Sequence, residues 1–490
     1  MNKKLLHLSQ KLILASADFM AIFVAFFLAL GLVSIFLGPL SHYIPTDEFM
    51  HRLGVHAILG LCCIIWFWGH LRHYSYRKAF WSELNEIVRT VGLLSIFELA
   101  FLALAKLETS RYIWLFTWTL ALFLMPLFRT IAKIILIKLE IWNRDTFIIG
   151  SGNNALDAYA AIKSEPLLGF NICGFFQVTD SKLMLKHNDT TVLATDSPSL
   201  RIEGLPVFED TDIILNWHDK ENAQFIIALE QYEIDLRDQW LRALAKAKIR
   251  NIFVIPTMRG VPLYGTDMSV FFSHDVLMLR LKNNLARLSS KFIKRSVDII
   301  AGVSLLVLLS PFMLYIAYLI SRKGGAPVFG HERVGQNGKK FQCLKFRTMV
   351  LNSKEVLDHL LMTNAEAKIQ WDKEFKLKDD PRITRVGKFL RKTSLDELPQ
   401  LWNVVKGEMS LVGPRPVVTE ELERFGEDVD YYLLAKPGMT GLWQVSGRND
   451  IDYDTRVYLD AWYVKNWSLW NDFVILCKTV RVVLKRNGAY

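Results

Sequence analysis

Four stretches of nearly unbroken apolar residues, roughly 12–38, 53–70, 88–105 and 112–128, dominate the first third of the chain. A membrane-spanning helix needs about 20 largely apolar residues, range ~17–25, and all four reach that length, the second and third narrowly. After residue 143 the pattern changes. Short apolar runs at 146–149, 172–178, 225–229 and 251–255 alternate with helical patterns at 156–163 and 238–248, which predicts a small parallel α/β domain. Residues 181–200 are polar and rich in turn formers, so they read as an exposed loop. A fifth apolar run, 299–320, is long enough to span, but Ser310-Pro311 sits at its centre. Basic residues also flank both its ends, Lys291, Lys294 and Arg295 before it and Arg322 and Lys323 after it. A spanning helix would leave one cluster on the disfavoured side of the membrane. A re-entrant helix over 296–320, bent at Ser310 and Pro311 and leaving by the face it entered, satisfies both facts. Three domains are therefore expected: 1–143 in the membrane, 144–290 α/β, and 291–490 as the remainder.

Composition and charge sharpen this picture. The 490 residues are 51% hydrophobic, too apolar for a wholly soluble chain of this length. Eleven Lys and Arg residues, from Lys3 to Arg144, flank one side of the four spans, against Arg52, Lys106 and Arg111 on the other. The positive-inside rule then places the N-terminus and everything after the fourth span in the cytoplasm. The N-terminal run lacks a small-residue cleavage site and reads as an uncleaved anchor. Of the net charge of +10, +8 lies in residues 291–490, with 31 basic against 23 acidic residues. That excess suits anionic partners such as lipid headgroups, nucleotides and phosphorylated lipids. No nucleic-acid module accompanies it, so no nucleic-acid partner is expected. The five cysteines contain no CxxC pair, which argues against a disulfide framework or a zinc site and for a reducing compartment. Glu98 interrupts the third span, as a helix–helix contact or a functional group. His70 and His73 flank the second span and are expected at the interface.

Candidate chemistry concentrates in two places. Gly150-Ser-Gly152-Asn-Asn-Ala155 follows a strand and opens a helix, the arrangement that sets a phosphate on a helix N-terminus. No acidic residue stands about 20 positions on to hold a ribose, and Asp180 comes later, so nucleotide binding and a structural or dimerising role both stay open. The second place is Ser394-Leu-Asp396-Glu397-Leu-Pro399, two adjacent carboxylates behind the cations Arg382, Arg385, Lys388 and Arg391. Neighbouring cations are expected to depress the carboxylate pKa and keep a nucleophile or metal ligand ionised. The competing reading is a capping box from Ser394 to Glu397, which Pro399 weakens. Asn337-Gly338 marks a hairpin whose second strand carries Lys345 and Arg347 on one face, a phosphate site or solvated charge. Pro414 and Pro416 fix Arg415, and Arg448 adds a cation in a glycine-rich turn. Asp460 begins an aromatic stretch in which Trp462, Tyr463, Trp467 and Trp470 suit either a bilayer interface or a core. Residues 354–378 read as a surface helix pair.

The motifs of residues 291–490 together resemble the bacterial sugar transferases, also called monotopic phosphoglycosyl transferases. The matching stretches are Lys294-Arg-Ser-Val-Asp298, Ser310-Pro311, Lys345-Phe-Arg-Thr-Met349, Asp380-Pro-Arg-Ile-Thr384, Ser394-Leu-Asp-Glu-Leu-Pro-Gln400, Gly413-Pro-Arg-Pro416, and residues 436–448 from Lys436-Pro-Gly to Ser446-Gly-Arg448. Four spans and a degenerate α/β domain ahead of them resemble the long polyisoprenyl-phosphate hexose-1-phosphate transferases. The ending Arg486-Asn-Gly-Ala-Tyr490 is similar to that of enzymes acting on galactose phosphate.

This resemblance implies a multi-pass protein of the bacterial inner membrane with its α+β catalytic domain, re-entrant helix and amphipathic interfacial helices on the cytoplasmic face. Ahead of that domain it implies a four-helix transmembrane bundle and a Rossmann-like middle domain. The implied reaction moves hexose 1-phosphate from a UDP-hexose to undecaprenyl phosphate and releases UMP, beginning O-antigen, capsule or exopolysaccharide repeat units. Asp396 would be the nucleophile that carries a covalent phosphosugar, and Glu397 would serve Mg²⁺ or proton transfer. Arg391 and Arg415 would hold phosphates, alongside Lys345, Arg347 and Arg448, while Asp396, Glu397 and Asp460 are the expected magnesium ligands. Membrane lipids and a second copy in a homodimer complete the expected partners. UDP-glucose as donor, or a glycosyltransferase that releases UDP, is the alternative activity, and a membrane scaffold or nucleotide sensor built on residues 150–155 is the non-enzymatic one.

Overall fold

The structure is a computed structural model, and it describes residues 3–45, 48–105, 110–177, 201–208, 223–246, 249, 251–257, 267–270, 277–280, 288–322, 324–364, 368, 380–447 and 451–485. The chain divides into two compact units, Met1–Met258 and Arg259–Tyr490.

The first unit opens with α1 (Lys3–Phe36), α2 (Phe49–Ile65), α3 (Phe80–Leu104) and α4 (Arg111–Lys138). The segments Leu8–Phe36, Phe49–His70, Phe80–Leu104 and Arg111–Lys138 are each long and apolar enough to cross a membrane. Their shared core includes Ile22 and Ala25 of α1, Cys63 of α2, Val91 of α3 and Met125 of α4. The third helix starts eight residues before its apolar run because its first turns are amphipathic, with Glu83 turned inward. There the acids and bases pair. Arg129 donates to Asp18 at 2.6 and 2.8 Å and to Glu83 at 3.0 Å, Lys133 donates to Glu83 at 2.5 Å, and Tyr74 donates its hydroxyl to Asp18 at 2.6 Å. His73 joins this network through Arg129 and Glu86 and stacks on Phe67. It is buried rather than interfacial, because its ring closes a polar cluster that needs every donor and acceptor matched. His70 is exposed. Glu98 is a helix–helix contact, accepting from Trp118 Nε1 at 2.5 Å.

The same unit continues into a six-stranded sheet of order β3-β4-β2-β1-β5-β6: β1 Arg144–Ile149, β2 Phe170–Phe176, β3 Arg201–Ile202, β4 Leu205–Phe208, β5 Gln224–Ile227 and β6 Asn251–Val254. All neighbours are parallel except β3 and β4. Phe147, Ile148 and Ile149 of the central strand are fully buried, which is why it reads as an unbroken apolar run. Successive residues face opposite sides. Phe147 and Ile149 pack with Trp240 and Leu244 of α6 (Ile234–Lys246), and Ile148 packs with Ala155 and Ala158 of α5 (Asn153–Lys163). The guanidinium of Arg77, between the second and third spans, stacks on Trp142 and donates to the carbonyls of Leu168, Gly169 and Trp142. Residues 178–200 lie outside the described residues, and the expected loop and Asp180 with them.

The second unit is α+β. A hairpin of β7 (Asp267–Val270) and β8 (Leu277–Arg280) precedes α7 (Leu288–Ser321), a fifth helix long and apolar enough to cross. The helix is not broken at Ser310 and Pro311. It runs on through Pro311, which costs one backbone hydrogen bond, and Ser310 donates its hydroxyl to the Val307 carbonyl at 2.8 Å. Next come the antiparallel pair β9 (Val328–Val334) and β10 (Lys340–Phe346), joined where Asn337 and Gly338 both take positive φ, as the Asn-Gly signal predicts. Parallel β11 (Ser410–Val412) and β12 (Gly438–Thr440) sit in a core with Leu401, Val404, Tyr463 and Trp467. The two aromatics Tyr463 and Trp467 are therefore core and not interface. Both polar tips find Asp472, at 2.6 and 3.1 Å, which lets the rings stay buried. The exposed apolar residues Leu469, Phe473, Val480 and Leu484 lie on the last helix, Leu469–Lys485.

Candidate active site

The two carboxylates sit on one tight turn between two short helices. Helix Arg385–Thr393 starts at Thr384, whose hydroxyl accepts from the Gly387 amide at 2.9 Å. Gly387 has no alternative there, since a Cβ would lie 2.0 Å from the Thr348 carbonyl oxygen. The helix ends at Ser394 in the left-handed conformation, φ 55°, a position that usually takes glycine. Leu395–Glu397 then forms a single 3₁₀ turn, and Pro399 stands immediately before the next helix, Gln400–Lys406. There a missing amide costs nothing and the fixed φ of proline suits the helix start. The Ser394 side chain makes no cap hydrogen bond, so the capping box is not formed.

Glu397 has a cation of its own: Lys345 Nζ donates to its Oε1 at 2.7 Å. Asp396 has none, since among the described residues no side chain hydrogen-bonds it. Burial, reinforced by the adjacent Glu397 charge, pushes its carboxyl up to about 6, while Lys345 and Arg391 pull the other way. The expected depression by nearby cations is thus reversed. The reason is that Lys345 is spent on Glu397 and that Arg391 Nε donates to Thr348 Oγ1 at 3.0 Å. That rise corresponds to about 3 kcal/mol of disfavoured charge.

The other expected residues divide. Arg347 leaves the site and clasps the end of α7 through the carbonyls of Gly324 and Ile320, because it lies just past β10 beside that glycine turn. Arg415 is exposed, its guanidinium 5.5 Å from the centre of the Trp443 ring, and its amide donates to Asp460 Oδ2 at 3.3 Å. Asp460 is buried, its Oδ1 has no partner, and burial pushes its carboxyl up to about 8. Among the described residues no three His, Cys, Asp or Glu side chains form a metal-binding group, so Asp396, Glu397 and Asp460 are not gathered into one. Arg448 lies outside the described residues.

Several positioning residues were not foreseen. Asn403 braces the helix after the dyad against β10, accepting from the Leu344 amide at 3.0 Å and donating to the Gln342 carbonyl at 2.8 Å. Arg295 caps that helix, donating to the carbonyls of Val404 and Val405 at 2.6 Å each. Asp298 accepts from Ser410 Oγ and the Leu411 amide at 3.0 Å. Lys294 donates to Asp472 at 2.7 Å. Arg456 lies 5.1 Å from the same Trp443 ring that Arg415 covers. The string Lys294-Arg-Ser-Val-Asp298 was the available signal for three of these.

Comparison with known proteins adds the following. A family model described as "Bacterial sugar transferase" matches residues 289–486, and one described as "CoA-binding domain" matches residues 67–215. Over 480 residues the chain is 52% identical to undecaprenyl-phosphate galactose phosphotransferase of Salmonella typhimurium, covering 98% of this chain and 97% of that protein. It is 51% identical over 480 residues to UDP-galactose-lipid carrier transferase of Erwinia amylovora, with 98% and 97% covered. Exopolysaccharide production protein ExoY of Sinorhizobium fredii is 50% identical over 198 residues, 40% of this chain but 88% of that protein.

Proposed function

The chain belongs to the bacterial sugar transferase family, and from that premise we propose that it transfers hexose 1-phosphate, with galactose as the hexose, from a UDP-sugar to undecaprenyl phosphate. A carboxylate oxygen of Asp396 attacks the β-phosphorus of the donor, the bond from that phosphorus to the bridging oxygen breaks, and UMP leaves. The sugar phosphate is then held covalently on Asp396. A phosphate oxygen of the lipid attacks the same phosphorus, the phosphorus–oxygen bond to Asp396 breaks, and the products are undecaprenyl-diphosphate-sugar and a restored carboxylate. Splitting the transfer suits substrates that arrive from water and from the membrane.

The observation that carries this reading is the half-buried turn that pairs an uncompensated carboxylate with a compensated one, in a chain half identical to a galactose phosphotransferase over nearly its whole length. With a pKa of about 6, Asp396 is still about nine-tenths ionised at pH 7, and poor solvation makes it the more reactive oxygen. Lys345 orients Glu397, and Arg391 and Arg415 supply guanidinium groups for the phosphates. Magnesium fits the dyad, since hard carboxylate oxygens of Asp396 and Glu397 leave room for substrate phosphates as further ligands. When bound, it would neutralise the diphosphate and ease UMP departure. Asp460 accepts from the Arg415 amide and is not gathered with the dyad among the described residues, so we assign it to positioning Arg415 rather than to the metal.

We read α7 as re-entrant. Near its start Lys294, Arg295 and Asp298 bind the core of the second unit, and near its end Ile316 and Ile320 pack with Phe346 and Leu390 of that unit. Ile300, Val307, Leu308 and Leu314 between them are exposed and apolar, as a helix dipping into hydrocarbon requires. The exposed apolar stripe of helix Leu469–Lys485 would rest at the same interface, placing the turn at the cytoplasmic face of the inner membrane. Starting an O-antigen, capsule or exopolysaccharide repeat unit is the role that follows.

The test is product analysis with the full chain in lipid nanodiscs, UDP-galactose or UDP-glucose, and undecaprenyl phosphate. UMP should be released, faster from UDP-galactose, and Asp396→Asn should abolish it. Release of UDP, or turnover retained by Asp396→Asn, would sink the assignment.

A further inference from the structure

The stretch Gly150-Ser-Gly152-Asn-Asn-Ala155 folds as a phosphate cradle should. Strand β1 ends at Ile149, Gly150 turns with φ 128°, and α5 begins at Asn153. Because β1 lies between β2 and β5, the crevice at the carboxyl ends of β1 and β5 is the topological switch point where open α/β sheets take ligands. A bound phosphate would there accept from the amides that open α5. That place is already taken. Glu230, three residues past β5, puts Oε1 2.8 Å from the Asn154 amide. A Cβ built on Gly152 would lie 2.7 Å from the same oxygen, so the carboxylate rests against the glycine whose bareness should admit a pyrophosphate.

The occupant is itself held in place. The Glu230 amide donates to Glu233 Oε2 at 2.8 Å. The buried side-chain amide of Asn154 donates to the carbonyls of Leu229 at 3.0 Å and Ile255 at 3.1 Å, fixing the segment that carries Glu230 to the start of α5. A phosphate entering here would have to expel a hydrogen-bonded carboxylate or lie beside a like charge. We infer that this domain's phosphate cradle is filled by the chain's own Glu230 carboxylate, and that the domain holds neither CoA nor a dinucleotide. The match to a CoA-binding family model over residues 67–215 takes in the turn and β1 to β4 but ends before β5 and Glu230, the residue that closes the ligand position from within.

Equilibrium dialysis of the full chain in nanodiscs against radiolabelled CoA, and separately NAD⁺, tests this. The wild-type protein should show no saturable binding up to about 1 mM. Glu230→Ala should gain saturable binding that inorganic phosphate competes away. In Glu230→Gln, which keeps the shape but loses the charge, hydrogen exchange at the Asn154 amide should quicken at least several-fold while the 147–149 amides stay protected. Saturable CoA or NAD⁺ binding by the wild type overturns the inference. So does a Glu230→Ala protein with protected strand amides that binds neither ligand, since something other than Glu230 would then close the cradle. If Glu230→Ala loses that protection, Glu230→Asp, one methylene shorter, is titrated instead with the same two readings.

Discussion

Asp396 gives the sharpest test, because burial and Glu397 set its titration where assays can follow it. The perturbation is pH, read on the first half-reaction alone: a single-turnover burst of UMP from UDP-galactose without lipid acceptor. Magnesium is added together with the donor and kept low enough that the free enzyme holds none, since a bound cation would itself lower the Asp396 pKa. Leaving out the acceptor matters, since a phosphate monoester has its own second ionisation near ~6. The attacking group must be the carboxylate, so rate is lost as pH falls through the folded pKa. With that pKa at about 6, about 91% of Asp396 is ionised at pH 7 and about 9% at pH 5, a tenfold fall in the second-order rate constant of the burst. An Asp at its ordinary value near 3.8 would still be about 94% ionised at pH 5, and the rate would barely change. Glu397→Gln removes the neighbouring charge that raises the pKa and releases Lys345 toward Asp396, so the acid limb should move to lower pH, whatever happens to the maximal rate. A wild-type limb at or below about pH 4.5, or a Glu397→Gln limb that stays put or rises, would refute the electrostatic account.

The same energetics predicts that Asp396→Asn, though inactive, is more stable at neutral pH. Because the folded pKa is raised, the penalty is absent below the unfolded value near 3.8 and fully present above about 6, reaching about 3 kcal/mol. Thermal unfolding should show a midpoint higher by at least about 5 °C at pH 7 and no difference near pH 4; an unchanged midpoint at pH 7 counts against it. Arg129→Met leaves Asp18 and Glu83 buried beside one fewer cation and should destabilise the membrane helices by about 3–5 kcal/mol, seen as a lower detergent-unfolding midpoint. Gly387→Ala should cost about 1–3 kcal/mol, because Thr348 must move away from the new Cβ. Since Thr348 also holds Arg391, the variant should raise KM for the UDP-sugar more than it lowers kcat.

The parts of this molecule legible in its sequence are those encoded by local period. Long apolar runs predicted α1 to α4, buried strands predicted β1 and β5, and Asn337-Gly338 predicted the hairpin that carries Lys345. What escaped was set by contacts far apart in the chain. Lys294 meets Asp472, Arg295 meets Val404 and Asp298 meets Ser410, each more than 100 residues away, so their motif could be seen but not their roles. Tyr463 and Trp467 have the spacing of an interfacial stripe, and partners the pattern does not show, Asp472 for both polar tips and the Val412 carbonyl for Tyr463, let them be buried. The sign of the Asp396 shift was missed for a related reason. Cations nearby in sequence are visible, whereas burial and the capture of Lys345 by Glu397 are not.

Charge compensation separates the reactive group from the structural ones. Within the membrane helices Asp18 and Glu83 have matched partners, and at the α/β sheet Glu230 has the amide of Asn154. Among the described residues of the second unit, exposed carboxylates such as Asp430 and Asp454 are left to solvent, and two that are not exposed lack a side-chain partner. One is Asp460, buried in the core, where burial pushes its carboxyl up to about 8 and one of its oxygens accepts from the Arg415 amide. The other is Asp396, on the half-buried turn, with a pKa low enough to leave it ionised at neutral pH and no side chain to neutralise it. Folded proteins keep such a charge where function requires it, and the neighbouring pair Lys345–Glu397 shows that the local sequence could have supplied a partner. The unmatched carboxylate next to a matched one is therefore the physical feature on which the proposal of Asp396, and not Glu397, as the nucleophile rests.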